Sequence, residues 1–169
     1  MKKSAVFLST FLLFACNDKS STEYLSAAKS NIETKAYDTA LIDLKNAIKA
    51  EPSLAEARYL LGKLYFDTHQ YLSAEKELER ALEFKYDANK VMPLLARSYY
   101  KTETDTVLVT LSFDKLKLSA QNQVEIKFFQ LLGNLRLSNE DNVDKTLQEI
   151  TDLKTDSIYT TLALAYSNT

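Results

Sequence analysis

Few residues in this chain are of the types that do chemistry, and their spacing argues against a catalytic centre. His69 is the only histidine and Cys16 the only cysteine. One imidazole with no second His or Cys beside it does not make a metal site, which needs several convergent ligands. Glu75 and Glu79 stand four apart, so on a helix they share one side; that side reads as exposed, and the pair as solubilising. There is no Gly-rich phosphate loop, and the serines and aspartates have no neighbouring base to activate a nucleophile. No catalytic residue, metal or cofactor is expected. What recurs is a cation: Lys29, Lys63 and Arg97 follow one another at a constant interval of 34. Such a column could hold an extended acidic segment, a C-terminal carboxylate or an acidic polysaccharide. The simpler reading is a solvated helix face balanced by Glu33, Glu56 and Asp67.

The interval belongs to a longer self-similarity. Shifted by 34, Tyr37 falls on Tyr71, Ala40 on Ala74, Leu44 on Leu78, Ala47 on Ala81 and Ala28 on Gly62. That period is the spacing of the tetratricopeptide repeat, a helix-turn-helix unit. Its signature reads here as Arg58-x2-Leu61-Gly62-x2-Tyr65 followed by Ala74-x3-Leu78, with Tyr86 where proline is usual. The expected fold is all-α, a TPR-type α-solenoid of antiparallel helix pairs. The composition agrees, because two Gly and two Pro leave little punctuation for a many-stranded sheet. Units are expected at about 22–54 and 55–88, with degenerate units at 89–118 and 122–154. Residues 155–169 are either a capping helix or the start of a longer array, the second being preferred.

The elements follow from the apolar pattern. Helices are expected over 22–33, 37–50, 54–67 and 71–84, with Ala74, Leu78, Ala81 and Leu82 on the buried side of the last. Small residues let neighbouring helices approach; Gly62 serves this purpose despite its low helix propensity. Tyr37 and Tyr71 should wedge between units. Asn89 is expected to cap a helix over 90–101, with Pro93 in its first turn, where proline is tolerated. The following stripe, Val107, Leu108, Leu111, Phe113, Leu116 and Leu118, predicts a second helix, with a strand over 106–113 as the alternative. Further helices are expected over 122–137, around Val143 to Leu153, and over 157–167.

The N-terminus reads as an address. Lys2 and Lys3 precede an apolar run from Ala5 to Ala15, too short at roughly 16 Å of helix to cross a bilayer core of about 30 Å. Residues 1–15 are therefore expected to be a signal peptide. Leu13-Phe14-Ala15-Cys16 resembles the bacterial lipobox, which implies a covalent lipid on Cys16 and a tether over 16–21. Asn17 rather than Asp after the cysteine favours the outer over the inner membrane, on the periplasmic side. The formal net charge of −2 offers no basic face for nucleic acid.

Ala40-Leu41-Ile42-Asp43-Leu44-Lys45-Asn46-Ala47, Glu56 to Lys63, Ala74 to Leu82 and Leu94-Leu95-Ala96-Arg97 together resemble the PEP-CTERM-system TPR-repeat lipoproteins. The likeness covers about 36–97 plus the lipobox. It implies an envelope scaffold for protein or peptide partners, associated with exopolysaccharide production and the sorting of PEP-CTERM proteins. An assembly or pilot lipoprotein for an outer-membrane channel or secretin is the alternative. The resemblance also implies that stacked first helices line a concave partner face. There it would place Lys29, Tyr59, Lys63, Phe66, Arg97 and Tyr100.

Overall fold

The computed structural model describes residues 19–167, with side chains through Tyr166. The leader, Cys16, Asn17 and Asp18 lie outside the described residues. Within them the chain is helical: α1 Ser21–Glu33, α2 Tyr37–Ala50, α3 Ala55–Asp67, α4 Tyr71–Glu83, α5 Ala88–Lys101, α6 Asp105–Thr110, α7 Ala120–Arg136, α8 Glu140–Asp152 and α9 Ile158–Ser167. Consecutive helices pack as antiparallel pairs, α1 with α2 and α3 with α4, and each pair leans on the next. This is the TPR-type α-solenoid that the 34-residue period implies. None of these helices is long and apolar enough to cross a membrane.

The helices end by a shared device. After α1, the Lys35 N–H donates to Ile32 O at 3.0 Å and the Ala36 N–H to Asn31 O at 2.8 Å. The same pair of bonds follows α3, α4 and α7, and the residue at the bend has positive φ each time: Lys35, His69, Lys85, Ser138. This is the Schellman arrangement, normally built on glycine because a Cβ is strained there. His69 thus occupies the repeat position where glycine is usual, with φ 62°.

The core runs along the stack in contiguous stretches. Leu25, Ala28, Ala40, Leu44, Ala47, Ala57, Leu61 and Leu64 form the first. A second joins α4 and α5 through Leu78, Val91, Met92, Leu95 and Tyr99 and reaches Ile126 of α7. The alanines at the expected places are fully buried. Gly62 allows the closest approach: a Cβ there would lie 2.8 Å from Leu78 Cγ. Tyr71 meets Phe66 edge to face at 5.3 Å, whereas Tyr37 stays largely exposed rather than wedged.

The third unit departs from expectation in two places. Asp87, not Asn89, caps α5, accepting from the Asn89 N–H at 2.9 Å. Pro93 therefore lies beyond the first turn, where it leaves the Asn89 carbonyl without its helical donor. The Asn122 side chain fills that vacancy at 2.8 Å, and also reaches Asn89 Oδ1 at 2.9 Å. Asn89 Oδ1 accepts from the Ser119 N–H at 2.8 Å, while its Nδ2 donates to Lys117 O at 3.0 Å. Asn89 is a clamp between units, not a cap.

The second helix of that unit is neither the long helix nor the strand: α6 stops after six residues. Thr106, Val107, Val109 and Thr110 are β-branched, which lowers helix propensity. The chain then runs irregularly over 111–119, and Phe113 and Leu118 plug into the core beside Ile126. Gln130 of α7 donates to Leu111 O at 2.9 Å and to Leu108 O at 3.1 Å, the latter also accepting from the Leu111 N–H, and so pins the early end of α6. Helices α7, α8 and α9 close on Val124, Phe128, Leu131, Ile150 and Ala163.

Candidate functional site

The constant interval places Lys29, Lys63 and Arg97 at equivalent positions on α1, α3 and α5. Each already has an anionic partner. Lys29 Nζ lies 2.7 Å from Glu56 Oε1 on the next unit, and Lys63 Nζ lies 2.6 Å from Asp67 Oδ2 on its own helix. Arg97 Nε donates to Glu125 Oε1 at 2.6 Å, and its Nη2 donates to Tyr159 Oη at 3.3 Å. Lys29 and Lys63 are half-exposed, where an ion pair contributes only about 0–1 kcal/mol. Arg97 differs: Glu125 is buried, so the guanidinium ties α5 to α7 and α9.

The aromatic members of the site pair with their neighbours. Tyr59 stacks on Tyr86, centroids 4.7 Å apart at 20°. Phe66 meets Tyr71, and Tyr100 tilts against Phe129 at 5.5 Å while the Arg136 guanidinium lies 4.2 Å from its ring centre. All three remain partly open to solvent. Burial pushes the Tyr59 and Tyr86 hydroxyls above the ordinary phenol range, chiefly by desolvation. The face is therefore aromatic with neutralised charge rather than a run of free cations.

Of the two carboxylates read as an exposed pair, Glu79 is exposed and Glu75 half-buried, and both also reach residues of α5 or its C-cap. Thr102 Oγ1 donates to Glu75 Oε1, and Tyr99 Oη donates to Glu79 Oε1 at 2.6 Å. Glu75 is held above the usual carboxylate range, first by desolvation, against the Thr102 hydrogen bond, and further by the Glu79 charge. The Tyr99 hydroxyl is raised strongly, by burial and then by the Glu79 hydrogen bond. The missed signal is Thr34, Thr68 and Thr102, which recur at the same interval of 34; Thr34 and Thr68 donate to the carbonyl four residues back, whereas Thr102 gives its one hydroxyl proton to Glu75. His69 Nδ1 lies 2.9 Å from Tyr71 Oη in the α3–α4 turn. Among the described residues no group of three His, Cys, Asp or Glu side chains converges to hold a metal.

Residues 31–98 match the tetratricopeptide repeat. The match runs from the end of α1 through most of α5, so it takes in Tyr59, Lys63, Phe66 and Arg97 and stops short of α6. No curated protein matches the chain. Tetratricopeptide repeats support a scaffold for protein–protein interaction.

Proposed function

We propose that this chain is a non-catalytic tetratricopeptide scaffold, lipid-anchored through Cys16 on the periplasmic side of the bacterial envelope, with the outer membrane favoured. The observation that carries the binding reading is the alignment of Tyr59, Phe66 and Tyr100 along stacked first helices, with local charge already neutralised. Partly exposed aromatic rings in series suit an extended peptide, whose side chains insert between rings while its backbone follows the stack. An acidic segment would displace Glu56 from Lys29 and Asp67 from Lys63 at little cost, because both pairs are half-exposed. Arg97 takes no part, being committed to Glu125. The apolar leader ending at Cys16 supports the anchor. The likeness to PEP-CTERM-system lipoproteins supports partners from exopolysaccharide production and PEP-CTERM sorting.

The test uses the full chain in its native membranes, with a photoreactive residue in place of Tyr59 or Tyr100. Crosslinks to envelope proteins that fall on replacing Lys29 and Lys63 by Ser support an acidic partner. Crosslinks indifferent to both substitutions leave aromatic recognition alone. Absence of crosslinks from either position overturns the face as a binding site. Arg97→Ser is a poor probe because it strands Glu125. Labelling with radioactive palmitate, abolished by Cys16→Ala, tests the anchor; unlabelled wild type overturns it.

A further inference from the structure

Where α6 stops early, its last residues border a polar cleft. It opens between α6 and α8 over a floor formed by α7, with a volume of about 270 Å³. Thr110 stands on one wall, Asn142 on the other, and Gln130 and Asn134 form the floor. Both floor residues are buried: Asn134 is 3% exposed, and its Oδ1 has no hydrogen-bond partner among the described residues. A buried amide oxygen left unpaired costs roughly 1–3 kcal/mol, which a side-chain rotation that turns it into the cleft and toward a ligand donor would recover. Rotation about χ2 of Asn134 exchanges the ends of its amide, so the floor presents an acceptor or a donor. Asn139, immediately before α8, makes no capping hydrogen bond with its side chain, which leaves a further amide at this cleft.

The chemistry of the walls selects the ligand. No aromatic ring lines the cleft, so a nucleobase or a sugar ring finds no stacking surface. The one cation, Lys145, lies 4.0 Å from Glu149, which also accepts from Lys127 at 2.7 Å; an anion meets no net positive charge. What remains is neutral: the Asn134, Asn139 and Asn142 amides, with the Gln130 carbonyl oxygen and the Thr110 and Thr146 hydroxyl oxygens as acceptors only. The protons of those last three groups go to Leu108 O and Leu111 O, to Thr106 O and to Asn142 O. We infer that the α6–α8 cleft is a second peptide-binding site, taking a short uncharged segment rich in amide side chains. It rests on the scaffold reading above but uses different residues.

The test titrates the isotopically labelled full chain, in detergent micelles, with the peptide acetyl-Gly-Asn-Gly-Asn-Gly-amide and follows side-chain amide signals by NMR. The expected result is movement of the Asn134, Gln130 and Asn142 signals, and roughly tenfold weaker binding on Asn142→Ala. Asn142 is at the exposed rim, so this variant should retain the wild-type circular dichroism. Asn134→Leu provides a second check: it fills the floor with an apolar group and should abolish the response. No movement up to about 10 mM peptide, a response indifferent to Asn142→Ala, or tighter binding of an N-acetylglucosamine trimer each overturns the inference. Because the crosslinks from Tyr59 and Tyr100 report the aromatic face, their survival with a silent cleft removes this site alone.

Discussion

The stack up to α4 and the part from α5 onward solve the same packing problem differently. Among the described residues, the buried set before Ser98 consists of apolar side chains and Gly62. From Ser98 on it includes Asp105, Glu125, Gln130, Asn134, Thr146 and Ser157. In the first part Ala40, Ala47, Ala74 and Ala81 let helices close on an apolar interior, and polar bridges such as Arg58–Glu77 at 2.7 Å and Asn31–Asp43 at 2.8 Å stay outside the fully buried core. In the second those positions are lost with the shortened α6, and side-chain amides and ions bridge the gaps. Gln130 finishes α6, Asn122 repairs the carbonyl freed by Pro93, and Arg97 joins α5 to Glu125. The lesson is that a repeat fills its interior by shape while its small residues persist; once they fail, polar groups enter the interior and must be satisfied one by one.

The largest effect expected of a single change follows from that contrast. Leu78→Ala removes a fully buried side chain between units and should cost about 2–5 kcal/mol in urea unfolding. Leu131→Ala, equally buried in α7, should cost less if the polar-bridged part relaxes around the cavity. Equal losses would erase the distinction.

The two glycines should separate the parts more cleanly. Gly62→Ala puts a methyl 2.8 Å from Leu78 Cγ and 3.2 Å from the Leu78 backbone nitrogen, so it should destabilise by about 1–3 kcal/mol despite better helix propensity. Gly133→Ala meets Val109 Cγ1 at 3.1 Å, a methyl on a short helix able to yield. There a propensity gain of about 1 kcal/mol should leave stability unchanged or raised. Thermal melts of both variants decide this.

Replacing His69 by Gly relieves a positive φ at the α3–α4 bend and should stabilise by about 1 kcal/mol. Lys154→Gly, at φ 48°, tests the same relief at the other end of the chain.

The smallest effect is electrostatic. Glu75 has its folded pKa raised above the ordinary value of 4.5 by desolvation, so the folded state binds this proton more tightly than the unfolded one. Its contribution is fully present below the unfolded pKa and is lost as pH rises through the folded pKa. Glu75→Gln keeps an acceptor for Thr102 and removes the charge. Its denaturation midpoint should therefore vary less with pH just above 4.5 than that of the wild type, and lie slightly higher at neutral pH. Parallel pH profiles would show that solvent screens the site.

The 34-residue period determined the helix pairs through α5, the buried alanines, the need for Gly62 and the equivalence of Lys29, Lys63 and Arg97. These are local patterns: side chains at fixed helical spacing must share a face, and a repeated face stacks on itself. Glu56 and Asp67 were already legible as the counter-charges of Lys29 and Lys63, whereas the stop of α6, the Asn89 clamp and the pairing of Arg97 with Glu125 came only from the tertiary structure. They join residues about 30 apart, such as Asn89 with Asn122 and Arg97 with Glu125, whose identities show no period. A hydrogen bond between units depends on where two separate backbones come to rest, and hydrophobic spacing carries no record of that. Packing shape could be read along the chain, whereas polar satisfaction was decided across it.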